Sequence, residues 1–262
     1  MSLVLEERSV EVAGRDVRYR VAGDGPPLVL VHGLSGSSRW WTPVLPELAK
    51  RRTVLLVDLP GFGSLGRRSR FVFSEASGWL LDWITAAGIG RPSLVGHSMG
   101  AAIAVRAAAA RPDALERLVL AAPAGLVARP LLAHGLPFAL ALRHVRPRFG
   151  SVLVRDALVA GPRTLLRASF AVANADVRPD LRRVATPTLV LVGGRDPLVP
   201  PAVAEVVKSE LPGTQVVVLE GAAHVPMFDR PHEFAEAVLD FLDQASSDSK
   251  ERTMRPRSRG RE

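Results

Sequence analysis

The sequence predicts an α/β fold: a mostly parallel, eight-stranded sheet with helices on both faces, interrupted by an inserted helical segment. Three observations predict it. Short, largely apolar runs recur at 28–31, 53–57, 92–95, 115–121, 187–193 and 215–219, and 28–31 is continuous rather than alternating, as a strand covered on both faces must be. Helix-forming stretches separate most of these runs, which is the rhythm of a parallel sheet. Between Pro123 and Thr186 the rhythm stops, and prolines and glycines punctuate several short apolar helical stretches instead.

The elements follow in order. Residues 8–22 alternate apolar and polar around Gly14, which reads as a hairpin with one wet face. Gly23 to Pro27 is a turn, and 28–31 is a buried strand. His32-Gly33-Leu34-Ser35-Gly36-Ser37-Ser38 is a loop rich in glycine and serine. Residues 40–50 have helical character, broken near the start by Pro43 and Pro46. The strand 53–57 ends in the turn-rich Asp58-Leu59-Pro60-Gly61-Phe62-Gly63-Ser64. A helix is expected over 74–88, with Ser74 and Glu75 at its start and Gly88 at its end. The next strand, 92–95, leads into a helix that stops at Arg111-Pro112, and 115–121 is a further strand. The insertion offers helical stretches at 131–142, 152–159 and 164–173. Thereafter come a strand at 187–193, a helix at 201–211, a strand at 215–219 and a last helix at 231–244. The expected domains are a core of residues 1–122 and 187–245, a helical cap of 123–186, and a basic, disordered tail of 246–262.

Composition narrows the classes. The chain has 262 residues, 47% hydrophobic, enough for one α/β domain with a large core. It has no cysteine, which excludes disulfides and thiolate metal sites. The first residues show no basic segment followed by a long apolar run, so no signal peptide is read. No run of about 18 apolar residues exists, so no membrane span is expected and the protein is placed in the cytoplasm. Net charge is +8. The tail contributes six basic against three acidic residues, which could meet nucleic acid or anionic lipid; a solvated tail in an arginine-rich protein is the simpler reading. The histidines are scattered and build no ligand cluster, so no metal is expected, and no cofactor motif is found.

The chemistry-bearing stretch is Gly96-His97-Ser98-Met99-Gly100, a G-x-S-x-G pattern between an apolar strand and an alanine-rich helix. That context is what a nucleophile elbow requires: serine in a strained turn, with glycines where a Cβ would strike neighbouring backbone. A serine hydroxyl is a poor nucleophile without a base, and the base needs an orienting acid. Asp196 follows the strand 187–193, and Ala121-Ala122-Pro123-Ala124 offers no rival carboxylate. Among six histidines, only His224 lies after the last strand in the order Ser, Asp, His. An oxyanion hole needs two backbone N–H groups, here assigned to Met99, after the nucleophile, and Leu34, after His32-Gly33.

These stretches, with Gly193-Gly194-Arg195-Asp196, Pro200 and Gly221-Ala222-Ala223-His224, resemble the α/β-hydrolase fold of serine hydrolases over about residues 28–244. The resemblance points to the branch of small carboxylesterases, cofactor-free perhydrolases and C–C bond hydrolases. It implies a small-molecule acyl substrate and ester cleavage by Ser98, His224 and Asp196. Epoxide hydrolases and haloalkane dehalogenases of similar architecture have aspartate where this chain has Ser98. Typical C–C hydrolases carry Asn at the His97 position and Trp at the Val225 position, so cleavage of a diketone-like C–C bond stands second. A ligand-binding relative with weak turnover stands third. His32, Asp58 and His97 fit the family pattern and are read as fixing loops by hydrogen bonds; Trp40 and Trp41 are read as buried anchors. The cap, which the resemblance makes the specificity element, holds ten arginines and three aspartates over 125–185. One such arginine could pair with a substrate carboxylate; solvated side chains are the simpler reading.

Overall fold

The computed structural model of the protein describes residues 3–126, 143 and 146–254. Eight strands form: β1 (Leu5–Val12), β2 (Arg15–Ala22), β3 (Pro27–Val31), β4 (Thr53–Val57), β5 (Ser93–His97), β6 (Leu118–Ala121), β7 (Thr188–Gly193) and β8 (Gln215–Leu219). They make one sheet in the order β1-β2-β4-β3-β5-β6-β7-β8. β1 and β2 are the expected antiparallel hairpin, turned by Ala13 and Gly14, both at positive φ. β2 also meets β4 antiparallel, and every pairing from β4 onward is parallel. Ligands of such sheets bind beyond the carboxyl ends of the strands.

The helices are α1 (Leu45–Leu48), α2 (Ala76–Ala86), α3 (Met99–Ala110), α4 (Pro147–Ala160), α5 (Pro162–Ala173), α6 (Arg178–Leu181), α7 (Val203–Glu210), α8 (Pro226–Asp229) and α9 (Pro231–Met254). Side-chain alternation splits the core in two. Val29, Val31 and Leu94 face a cluster containing residues of α2, α3 and α7. Leu28, Leu30 and Val95 face a cluster containing Leu48 of α1 and Phe234, Val238 and Leu242 of α9. In α3 ten residues of twelve are buried, six of them alanine. Small side chains let this helix lie close against the sheet, and a helix apolar all round belongs inside.

The structure departs from expectation in three places. The single helix expected over 40–50 is two pieces, a 3-10 turn at Ser38–Trp41 and the one-turn α1. Pro43 lies between the pieces and Pro46 in the first turn of α1, where its missing N–H is harmless. α4 and α5 begin earlier than their apolar cores suggest, at Pro147 and Pro162, again using proline in the first turn. The last helix passes Gln244 and runs to Met254. Lys250, Glu251, Arg252 and Met254 are good helix formers, and Pro256 is the first breaker. The expected stretch 131–142, with His134, His144 and Arg129, lies outside the described residues, as do 255–262. Among the described residues no helix is long and apolar enough to cross a membrane.

Candidate active site

Between the end of β5 and the start of α3 stands one residue, Ser98, at φ 52° and ψ −113°. A non-glycine residue held there costs on the order of 1–3 kcal/mol. Its neighbours cannot be larger. A Cβ on Gly96 would lie 2.5 Å from the Gly100 carbonyl oxygen, and one on Gly100 2.5 Å from the carbonyl oxygens of Val31 and His32. The Ser98 N–H donates to the Ala121 carbonyl at 2.9 Å, which ties the turn to β6.

Asp196 hangs on the loop after β7. Its Oδ1 accepts the N–H groups of Leu198 at 2.8 Å and Val199 at 3.0 Å, so the carboxylate is aimed by its own backbone. Its Oδ2 lies 2.8 Å from Nδ1 of His224, on the loop after β8. His224 Nε2 lies 3.1 Å from Ser98 Oγ. With the Nδ1 proton given to the acid, Nε2 is free to accept the serine proton. The Asp196 side chain is fully buried while 17% of the His224 side chain reaches solvent, so the acid is sealed and the imidazole is open on one side.

The two backbone donors expected from sequence, Leu34 and Met99, belong to the loop after β3 and to the first turn of α3. Met99 is the first residue of α3, where the helix supplies no acceptor for an N–H. A Cβ on Gly33 would lie 3.2 Å from Ser98 Cβ and 2.8 Å from His97 Nδ1. The loop after β3 therefore runs against the turn, and Leu34 is its next residue.

The remaining motif residues hold loops. His97 is fully buried and its Nε2 donates to the His224 carbonyl at 2.7 Å, fixing the base through its own backbone. Burial, with the nearby charge of His224 adding, pulls the His97 imidazole down to about 3, so it stays neutral. His32 Nδ1 donates to the Gly33 carbonyl at 2.8 Å and its Nε2 accepts the Leu59 N–H at 3.0 Å; burial pushes its pKa down too. Asp58 accepts the N–H groups of Ser38 at 2.6 Å and Ser64 at 2.7 Å. Burial alone would raise its pKa; the His32 imidazole and those two N–H groups outweigh it and hold the pKa below the usual carboxylate range. Trp41 is fully buried and packs on Phe234.

One residue that sequence reading passed over is Asp156 of α4. It is fully buried and accepts Ser37 Oγ at 2.6 Å, Trp40 Nε1 at 3.2 Å and Arg39 at 3.4 Å. A signal was present: Asp156 is the one acid in α4 and α5, at helical spacing from Phe149 and Ala160, the other buried residues of α4. Several insertion arginines are taken up by ion pairs: Arg178 with Asp176, Arg182 with Glu210, and Arg146 with Asp229. Arg148, Arg155, Arg163 and Arg167 are exposed. A groove of about 970 Å³ opens between residues 63–68 and α4, with Arg68 and Arg155 in its walls, but none of Ser98, Asp196 or His224 lines it. Among the described residues no group of three or more His, Asp or Glu is placed to hold a metal ion.

The chain is 30% identical to the pimeloyl-[acyl-carrier protein] methyl ester esterase of Aeromonas hydrophila, over 84% of this chain and 96% of that one. It is 26% identical to the 2-hydroxy-6-oxo-6-(2'-aminophenyl)hexa-2,4-dienoic acid hydrolase of Metapseudomonas resinovorans, over 91% of each. Its structure superposes on a bacterial membrane phospholipase A with a TM-score of 0.79 and 27% identity, over 92% of this chain and 86% of that one. The pattern of the alpha/beta hydrolase family matches residues 28–237, and the chain is a hydrolase belonging to that family.

Proposed function

We propose that this hydrolase cleaves a carboxylic ester, or a related acyl bond, through a Ser98–His224–Asp196 triad. The observation that carries the reading is the continuous hydrogen-bonded path from Asp196 Oδ2 to His224 Nδ1 and from His224 Nε2 to Ser98 Oγ, at 2.8 and 3.1 Å. Ser98 Oγ attacks the acyl carbon as its proton passes to His224 Nε2. The carbonyl oxygen gains the negative charge and is held by the N–H groups of Leu34 and Met99. Asp196 keeps the imidazole in the tautomer that can accept, and stabilises it once protonated. His224 then gives its proton to the leaving alcohol, and an ester links Ser98 to the acyl group. Water, deprotonated by His224, attacks that ester; the acid leaves and Ser98 recovers its proton.

The dienoic acid hydrolase relative supports a second reading, in which the same three residues cleave a C–C bond beside a ketone. We put ester cleavage first because of the methyl ester esterase relative and because of His97, where the C–C hydrolases this chain resembles carry Asn. The test is hydrolysis of p-nitrophenyl esters from acetate to laurate by wild type and Ser98→Ala. Turnover by wild type, with a loss of about four orders of magnitude in the variant, is expected. A protein that hydrolyses none of the esters but cleaves a 6-oxo-dienoic acid selects the second reading.

A further inference from the structure

We infer that Asp156 is a positioning residue that makes the oxyanion-binding backbone at Leu34 depend on the docking of α4; this rests on the ester-hydrolysis reading above. Among the described residues, every hydrogen bond to the Asp156 side chain comes from another part of the chain, the segment Ser37–Trp40 more than a hundred residues away. A carboxylate is acceptor-only, and the three groups it meets, a hydroxyl, a guanidinium and an indole N–H, are all donors. The site is built for an acid: an amide in its place would turn one NH2 toward a donor.

That segment is the continuation of the Leu34 loop. The Gly36 N–H donates to the Gly33 carbonyl at 3.1 Å, closing a tight turn around Leu34 and Ser35. Ser35 sits at φ 58°, a conformation that must be held from outside. A Cβ on Gly36 would lie 3.0 Å from the Trp40 indole, so the ring fills the space behind the turn. The same indole donates to Asp156, packs edge-on against Phe149 of α4 at 4.9 Å between centroids, and lies 5.7 Å from the His97 ring. The core holds this segment at Ser38, whose N–H donates to Asp58 and whose hydroxyl accepts from Arg20 of β2, and at the His97 face of Trp40. The polar ends of Ser37, Arg39 and Trp40 are held by Asp156 of α4. Moving α4 away therefore releases Trp40 and Ser37, and with them the turn that aims the Leu34 N–H.

The experiment compares the full-length wild type with Asp156→Asn, Asp156→Ala, Ser37→Ala, Trp40→Phe and, as reference, Arg155→Ala, an exposed neighbour on α4. Three quantities are read: kcat and KM on p-nitrophenyl acetate, the rate of covalent labelling of Ser98 by a fluorophosphonate, and Tm. Expected is a fall of about 10- to 100-fold in both kcat and labelling rate for the Asp156 variants, with KM within about twofold. The pH dependence of kcat/KM keeps its shape, because the defect lies in a backbone donor and not in His224. Ser37→Ala and Trp40→Phe give smaller losses of the same kind, and Arg155→Ala matches wild type. A lower Tm with unchanged kcat and labelling makes Asp156 purely structural and overturns the inference. Should both Asp156 variants fail to fold, the single-donor variants decide: unchanged kcat in both overturns it equally. Wild type that neither turns over esters nor takes the label overturns the underlying reading instead.

Discussion

Helices α3 and α4 are opposite solutions to being a helix. α3 buries ten of twelve residues, most of them alanine, and its N-terminus carries Ser98 as cap residue. α4 buries three of fourteen, Phe149, Asp156 and Ala160, and α5 buries only Ala168. Val154, Leu158, Leu166 and Phe170 of the insertion are each at least 60% exposed. The difference teaches where sequence is constrained. At the start of α3, Gly96 and Gly100 are pressed against neighbouring backbone, so the proposed chemistry is built into the packing. Helices α4 and α5 are held by a few anchors, and their exposed faces are available for change without disturbing the sheet.

The sharpest way to break this contrast is Gly100→Val. Its Cβ would meet two carbonyl oxygens of β3 and the loop after it, neither of which can move alone. A loss of at least about 4 kcal/mol by urea denaturation, or no folded protein, is expected. A variant with an unchanged midpoint would show that α3 has slack.

A smaller effect comes from acid. Folded His97 stays neutral down to about 3, whereas in the unfolded chain it takes a proton near 6.5. Between those values the unfolded state binds the extra proton, so the contribution of His97 is full above about 6.5 and is lost as pH falls toward about 3. Replacing it with asparagine should flatten the fall of Tm over that window. Parallel Tm–pH curves for His97→Asn and wild type would remove His97 as the cause. The smallest effect belongs to the insertion: Phe170→Ser should change unfolding free energy by less than about 0.5 kcal/mol, because the ring is 61% exposed. A large loss would mean that this ring is anchored after all.

Legibility followed the same division. The parallel strands were readable because each is largely an apolar run, and Ser98, Asp196 and His224 stood out as candidates because each follows one. What chain order cannot give is distance, and the structure adds it: His224 and Asp196 are 28 positions apart, and Ser98 is 126 from His224, yet they are within hydrogen-bonding reach. The segment 40–50 misled because helical composition says nothing of how Pro43 and Pro46 divide it. Asp156 stayed hidden because its role is set by donors 116 to 119 positions away. An acid among arginines on a surface helix looks like one more solvated charge until Phe149 and Ala160 show which way its face points.

The two flanks of the sheet carry a last consequence, for how copies of the molecule meet. β1 and β8 are its outer strands. β1 exposes Glu6, Glu7, Arg8 and Glu11, charges that discourage another strand from pairing with it. β8 reads Gln215-Val216-Val217-Val218-Leu219, without charge or proline, and Val218 is exposed. Edge-to-edge association, when crowding or partial unfolding allows it, therefore has a direction: one side of this protein is guarded against it, and the side beyond β8 is where it would begin.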